Sequence, residues 1–433
     1  MNQNVTQSLQ KKIHRQVLDN GMTVIAVENP AADIISARIF IKAGSRCEPR
    51  EKAGLSHLVS AVMTKGTDRL SSLEIAEQVE SVGASLSTDA TPDYYLLSLK
   101  TVSADFAPML QLCHDLLRYP SFPDAEVELE QRLTLQGIRS GLEQPFTIAY
   151  DQMRQAMYPD HPYACSILGR EETVATLTRA DLEAFHRSFF RPDRIVVSLA
   201  GRIAPFAATQ LIQEVFGPWE APTTAVHDPQ FPPLTSHPRQ MLVPQDTQQS
   251  IIMVGHLTNS VRGKDPQNPD PSDYAALKLL NTYLGNGLSS RLFVELREIR
   301  GLAYDVSAFY PTRLDPGPFV VYMGTAPENT SIAFNCLRSE LERLCTTPLS
   351  PEELQAAKNK LLGQYALGKQ TNAQIAQVFG WYEILGLGIE FDTRFNEEIS
   401  AISAPIAQEV ACRYFKTEPF VSLVGPEAFI SQV

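Results

Sequence analysis

The sequence predicts an α+β protein with two homologous domains, each a mixed or antiparallel sheet with one face covered by helices. Three observations predict this fold class: the chain length, an internal duplication, and a proline-rich stretch between the two copies. A chain of 433 residues is too long for one ordinary hydrophobic core, so two domains are expected. The composition, 44% hydrophobic and 20% charged, is typical of a globular protein.

The duplication is visible where each half ends. The first half closes with LTRADLEAFHRSFFRPDRIVVSLAG and the second with ISAPIAQEVACRYFKTEPFVSLVG. In both, an amphipathic helix pattern leads to an aromatic pair, a basic residue, a turn and an apolar strand with the pattern VSLxG. Upstream, a proline and an acidic first turn begin a long helical pattern near Ser121 and again near Pro348. The repeated order predicts a duplicated domain.

The boundary is predicted in the stretch from Gly217 to Pro244, which contains seven prolines. Such a segment cannot hold a helix and is typical of an extended linker. The sequence therefore predicts an N-terminal domain over residues 1–216, a linker over 217–244 and a homologous C-terminal domain over 245–433.

Within the first half, alternating or β-rich segments bounded by turn residues predict strands, and apolar residues at helical spacing predict helices between and after them. The predicted strands are 22–27, 34–41 and 94–99, and the predicted helices are 54–63, 72–81 and 106–117. Strands among paired helices indicate a sheet with helices on one face.

The segment over 43–67 reads AGSRCEPREKAGLSHLVSAVMTKGT. It is similar to the signature of pitrilysin/insulinase-type zinc peptidases, the family that includes mitochondrial processing peptidase, and the resemblance implies a processing-peptidase-like fold. That signature has AGSR, an acid, GxxHxxEH and KGT. The frame is kept here at Gly44, Ser45, Arg46, Glu48, Gly54, His57, Lys65, Gly66 and Thr67.

Where the family has HxxEH, this chain has His57-Leu58-Val59-Ser60-Ala61. Two histidines four apart on a helix share one face and can bind one zinc ion, while the glutamate between them activates the bound water. Ala61 has no lone pair to donate. Ser60 cannot replace a carboxylate base, because its hydroxyl ionises far above neutral pH.

The resemblance implies a third ligand, a glutamate in a later helix with the pattern ERxVVxxE. The matching run begins at Glu130, which is retained, and places Gly137 at the ligand position. Two of three ligands and the base are therefore missing, and no other histidine forms an HxxEH, HExxH or HxxxH pattern. We expect no metal in this chain, His57 as a packed helix histidine, and Glu130 as a solvated or capping acid.

The second half carries LGNGLSSRLFVELREIRGLAYDV over 284–306, which closely resembles the family's C-terminal signature LGxGxSSRLFxxLREKxGLAY. The resemblance implies that Arg297 and Tyr304 hold the substrate backbone at the scissile bond. A guanidinium and a phenolic hydroxyl can donate hydrogen bonds to a peptide carbonyl and can stabilise a developing oxyanion. The alternative for each is structural: one charge of a helix, and one aromatic on a strand.

The resemblance thus implies a non-catalytic subunit, not an enzyme on its own. It would pair with an HxxEH-bearing homologue that binds the zinc, and would supply Arg297 and Tyr304 to unfolded peptide substrates. One alternative is a structural scaffold subunit, similar to the core proteins of respiratory cytochrome bc complexes. A stand-alone peptidase would need ligands that the sequence lacks.

The charge, hydropathy and cysteine content restrict the expected partners and the cellular compartment. A net charge of −12 argues against nucleic-acid binding, and no apolar run approaches the ~18 residues of a membrane span. Residues 1–18 lack the apolar core of a secretory signal, although their basic residues leave an organelle-targeting peptide as an alternative. Six scattered cysteines favour a reducing compartment: the cytoplasm or, alternatively, an organelle matrix or stroma.

Overall fold

The computed structural model describes residues 13–263 and 272–433. Most of the basic N-terminal stretch considered above as a targeting peptide lies outside these residues. The described strands are β1 (Ile13–Val17), β2 (Thr23–Glu28), β3 (Ile34–Ile41), β4 (Ser85–Ala90), β5 (Tyr95–Val102), β6 (Ile195–Gly201), β7 (Gln240–Pro244), β8 (Ser250–Leu257), β9 (Asp305–Phe309), β10 (Pro318–Thr325) and β11 (Phe420–Gly425).

The α-helices described in the first half are α1 (Leu55–Val62), α2 (Ser72–Ser81), α3 (Phe106–Arg118), α4 (Asp124–Gly141), α5 (Pro145–Met157), α6 (Glu171–Val174), α7 (Arg179–Phe189) and α8 (Pro205–Phe216). Those of the second half are α9 (Ser272–Gly285), α10 (Thr330–Thr346), α11 (Pro351–Leu367), α12 (Asn372–Ile384), α13 (Phe391–Ala401), α14 (Ala404–Phe415) and α15 (Glu427–Ile430). The three predicted strands and three predicted helices of the first half are confirmed to within three residues at each end.

The two sheets share one topology, which confirms the predicted α+β duplication. The first has the order β1-β2-β6-β3-β5-β4 and the second β7-β11-β8-β10-β9. In each, the strand that carries VSLxG is parallel to one neighbour and antiparallel to the other. The remaining pairs are antiparallel, so β2-β6-β3-β5-β4 corresponds strand by strand to β7-β11-β8-β10-β9.

The chain forms two compact units, and each consists of three separate segments. A single cut at the proline-rich stretch does not separate them. Of the described residues, unit 1 contains those within 1–138, 166–230 and 366–393, and unit 2 contains those within 139–165, 231–365 and 394–433. Each half therefore gives one helix to the other half's sheet: α5 packs on β8 and β11, and α12 packs on β3 and β6. The predicted domain boundaries take no account of this exchange.

Glycine permits each exchanged helix to lie close to its sheet. A Cβ on Gly380 of α12 would lie 2.3 Å from a ring carbon of Phe40 and 2.8 Å from the Cβ of Ser198. In unit 2 the glycine is on the strand, since a Cβ on Gly255 would lie 2.6 Å from the methyl group of Met157. Neither position has room for a side chain.

The exchanged helix in unit 1 covers a sheet face that the main core does not use. Ile39 and Val197 belong to the large core cluster with α1 and α3, whereas the alternate residues Phe40 and Ser198 face α12. The sheet of unit 1 therefore carries helices on both faces, where the sequence predicted one covered face.

Between α8 and β7 the proline-rich stretch has neither helix nor strand up to Arg239, as predicted. It is nevertheless held to unit 1, because the Arg191 guanidinium donates to the carbonyl oxygens of Pro222 and Thr224 and Arg194 pairs with Asp228 at 2.8 Å. Its last five residues form β7, which pairs with β11, so the extended segment ends before Pro244.

Candidate functional site

The helix that carries the degenerate motif, α1, begins at a buried acid. Glu48 accepts hydrogen bonds from the backbone N–H groups of Gly54 and Ser56 at its start, and Gly54 has a left-handed φ of 100°. Burial raises the pKa of the Glu48 carboxyl to about 8, while these two N–H groups oppose the shift. The retained AGSR–acid–glycine frame thus fixes where α1 starts.

His57 and Glu130 are brought close enough to interact electrostatically. Burial lowers the pKa of the half-buried His57 imidazole, and the nearby charges of Glu130 and Asp89 oppose that shift. The Lys65 ammonium lies 3.3 Å from the Glu130 carboxylate. The sequence predicted a solvated or capping acid at Glu130. In the structure Glu130 is instead one partner of a half-buried ion pair.

The other degenerate positions offer no nitrogen, sulfur or carboxylate ligand to a metal. Ser60 is buried, and its carbonyl oxygen accepts a hydrogen bond from the Thr88 hydroxyl of β4 at 2.8 Å. Ala61 follows it on α1. At Gly137 on α4, a Cβ would meet only the Leu168 side chain, at 3.9 Å. The position where the resemblance places the third ligand is thus open.

These residues do not fit a zinc ion. A protein zinc site needs three or four nitrogen, sulfur or carboxylate ligands, whereas here the donors are one histidine and one carboxylate already paired with a lysine. Throughout residues 13–263 and 272–433, no three histidine, cysteine or acidic side chains are grouped so that they could hold a metal.

The second signature surrounds a π-helix over Phe293–Ile299. The turn before it contains Gly287, with a left-handed φ of 81°. Arg291 anchors the start of this helix through ion pairs with Glu295 at 2.7 Å and Glu340 at 2.8 Å. Seven-residue π-helices are rare and often lie at functional sites.

Arg297 and Tyr304 lie at the two ends of a seven-residue interval that includes the end of the π-helix and the following turn. Both side chains are exposed, Tyr304 by 56%. The Arg297 guanidinium lies 5.0 Å from the Phe293 ring, and the Tyr304 backbone N–H donates to Gly324 at the start of the β9–β10 pair. Within the described parts of the chain, neither side chain makes a hydrogen bond or an ion pair.

Two features of these sites were missed by the sequence analysis. The Lys65–Glu130 pair joins residues 65 positions apart, although the retained lysine of the KGT frame was a signal for it. The π-helix has no compositional signature, because its sequence also fits an ordinary helix.

Sequence models of one family match both halves. The one described as Insulinase (Peptidase family M16) matches residues 23–171, and the one described as Peptidase M16 inactive domain matches residues 176–361. A Bacillus subtilis protein named Uncharacterized zinc protease YmxG is 26% identical over 417 residues, which cover 96% of this chain and 98% of its own. A Mycobacterium tuberculosis protein named Uncharacterized zinc protease Rv2782c is 28% identical over 375 residues, covering 86% and 83%.

Solved structures show the same fold. A Pseudomonas fluorescens structure described as a peptidase M16 inactive domain superimposes with a TM-score of 0.87 at 22% identity, covering 96% of this chain and 98% of that one. A Helicobacter pylori protease superimposes with a TM-score of 0.88 at 21% identity, covering 96% and 99%. No helix in the described part of the chain is both long and apolar enough to cross a bilayer. Taken with the two signature segments, these matches identify the chain as a member of the insulinase-type peptidase family M16.

Proposed function

We propose that this chain is the non-catalytic subunit of a heterodimeric zinc metallopeptidase, and that it supplies Arg297 and Tyr304 to bind the substrate peptide. The observation that carries the proposal is an asymmetry. The metal-site positions of unit 1 lack two ligands and the base. The second signature departs from the family pattern only at Ile299, where the family has lysine, and its Arg297 and Tyr304 side chains are exposed.

The chemistry of the exposed pair supports peptide binding. A guanidinium that is always charged and a phenolic hydroxyl are both donors, and a peptide carbonyl is an acceptor. Arg291, six residues earlier, pairs with Glu295 and Glu340, whereas Arg297 pairs with no acid among residues 13–263 and 272–433. This difference supports a ligand-binding role for Arg297 and a structural role for Arg291.

Extended peptides also have backbone groups to pair, and sheet edges can bind them as an added strand. Strands β4 and β9 are edges of their described sheets. β4 contacts the degenerate α1 through the Thr88–Ser60 hydrogen bond, and β9 begins directly after Tyr304. Each signature segment therefore adjoins a strand edge that could hold an unfolded substrate.

The missing ligands require a partner with an intact HxxEH motif, which would hold the zinc ion and its water. The relatives that are named zinc proteases support a role in proteolysis. In such a pair, Arg297 and Tyr304 would donate to the substrate carbonyl while all metal chemistry belongs to the partner.

Co-expression with an HxxEH homologue from the same genome, followed by a peptide cleavage assay, tests the proposal. Removing one oxyanion-type donor costs about 10²–10³ in kcat, so Arg297→Ala or Tyr304→Phe in this chain should reduce cleavage by about that much. The matched control is Arg300→Ala, another exposed arginine of the same segment, which should leave cleavage close to wild type.

The scaffold alternative predicts the opposite result. In that case, the two subunits assemble and cleavage does not depend on Arg297 or Tyr304. Unchanged kcat in both variants, with the heterodimer intact by gel filtration, would overturn the peptide-binding role.

A further inference from the structure

A cavity of about 280 Å³ lies in unit 2, far in sequence from both signatures. Its wall includes His256 of β8, Cys345 of α10 and Phe415 of α14. The Nδ1 atom of the buried His256 ring has no hydrogen-bond partner within the described residues. Burial also lowers the pKa of His256 to about 4, so the imidazole is neutral near pH 7. The cavity wall thus combines a buried neutral imidazole with the Phe415 ring and the Cys345 thiol.

Two thiols meet beside this cavity. Helices α10 and α14 pack along each other, and the Cys412 Sγ of α14 donates to the backbone carbonyl oxygen of Cys345 at 3.3 Å. The Gln408 side chain, one turn before Cys412, donates to the same oxygen at 3.1 Å. These two contacts fix α14 against the end of α10 and place the two cysteines side by side.

Two other cysteines, Cys113 and Cys336, have different surroundings. Cys113 is fully buried in the core of unit 1, and Cys336 is in contact with the Arg300 guanidinium at 3.4 Å. Cys345 and Cys412 both have partly accessible side chains, and the side chains are close enough for the Cys412 sulfur to help raise the pKa of the Cys345 thiol. The pair thus combines proximity with an approach route to Cys345 through the cavity.

We propose that Cys345 and Cys412 form a disulfide by exchange with a small disulfide that enters this cavity. The Cys345 thiolate attacks one sulfur of the reagent, the reagent's S–S bond breaks, and a mixed disulfide forms as one thiol leaves with a proton. The Cys412 thiolate then attacks the Cys345 sulfur and releases the second thiol. Two protein thiols are oxidised and one reagent disulfide is reduced to two thiols.

The reaction should be slow near neutral pH and faster in alkali. Burial and the neighbouring Cys412 raise the pKa of Cys345 to about 12, and only the thiolate attacks a disulfide. The rate should therefore increase about tenfold per pH unit between pH 7 and 9.

Treatment of the full chain with 2-hydroxyethyl disulfide at pH 8.5, followed by intact mass and peptide mapping, tests the proposal. The wild type should lose two hydrogens and yield a cross-linked Cys345–Cys412 peptide. Cys412→Ser should instead retain one reagent adduct on Cys345, because the second step is blocked. Cys336→Ser, the matched control, should form the bridge as the wild type does.

Two results would overturn the proposal. One is a stable adduct on Cys345 in the wild type without a bridge, and the other is no modification of either cysteine while Cys336 reacts. Thermal unfolding adds a second measurement: the bridged form should melt at a higher temperature than the reduced form and return to the reduced value with dithiothreitol. An unchanged melting temperature after complete bridging would show that the bridge does not constrain α10 and α14.

Discussion

The two units share a sheet topology but differ in what their signature segments offer to a ligand. In unit 1 the segment is turned inward: Glu48 holds the start of α1, and Glu130 is paired with Lys65. In unit 2, Arg297 and Tyr304 of the other signature are exposed and make no internal polar contacts among the described residues. The signature segment of unit 1 thus serves packing, whereas that of unit 2 presents exposed hydrogen-bond donors.

In unit 1 the signature segment is held together by its own protein contacts. The frame residues around α1 still hold the helix, because their contacts are to backbone groups and not to a metal. The positions on α1 and α4 that match the family's ligands carry the small residues Ala61 and Gly137, and Lys65 pairs with Glu130.

The largest effect is expected from rebuilding the ligands. Ala61→His places a second histidine four residues after His57, on the same helix face, and Gly137→Glu fills a position where a Cβ meets nothing closer than 3.9 Å. The double variant should bind about one zinc per chain after dialysis, measured by plasma mass spectrometry, against none for the wild type. The added His57→Ala should abolish binding; a folded double variant without zinc would show that more than the ligands has changed.

The next effect separates the structural frame from the exposed pair. Glu48→Ala leaves two buried N–H groups without an acceptor and should lower the free energy of unfolding by about 1–3 kcal/mol. Arg297→Ala and Tyr304→Phe should change it by less than about 0.5 kcal/mol. Denaturant unfolding provides the measurement, and Glu51→Ala, an exposed neighbour of Glu48, is the control. Equal decreases in the free energy of unfolding for all variants would contradict a structural role that is specific to Glu48.

The architecture that the two units share can be tested at the exchanged helices. Gly380→Ala and Gly255→Ala would each force a methyl group into atoms 2.3–2.8 Å away, which should cost about 1–3 kcal/mol of stability. Gly363→Ala on α11 is the matched control, since its Cβ meets nothing within 4 Å, and it should stabilise the chain by about 0.5–1 kcal/mol. Loss of stability at Gly363 alone would contradict the close-approach explanation.

The sequence predicted the elements whose information is local. β3 alternates and is bounded by turn residues, and α2 begins at Ser71 with the reciprocal hydrogen bonds to Glu74 that define a capping box. β4 was not predicted, because its residues SLSTDA are mostly polar and suit an edge strand with one exposed face. The lack of a metal-ligating side chain at Ala61 and Gly137 is likewise local information, since donor chemistry follows directly from residue type.

Other features depend on contacts that no local pattern contains. The amphipathic pattern of α5 or α12 shows that one face is buried but not which sheet buries it, so the helix exchange was not predicted. The state of Glu130 depends on Lys65 in another element. Arg291 and Arg297 are both arginines of one segment, and only the structure separates the paired one from the exposed one.

The smallest effect concerns the electrostatics of the degenerate site. Burial lowers the pKa of His57 below its ordinary value of 6.5, and the Glu130 charge opposes this. Glu130→Gln removes that charge, so the His57 pKa should fall further in an NMR titration of the ring protons. Glu128→Gln, an exposed acid on the same helix, makes the same change in net charge and should shift the pKa less.

The direction of the His57 pKa shift also determines how the stability of the chain depends on pH. Because the folded pKa of His57 is below the unfolded value, the unfolded chain binds more protons below pH 6.5, and the free energy of unfolding falls as the pH drops through that range. Glu130→Gln should steepen this fall, since it makes the folded imidazole harder to protonate. A titration in which Glu130→Gln raised the His57 pKa would contradict this account, because it would mean that the Glu130 carboxylate does not favour the charged imidazole.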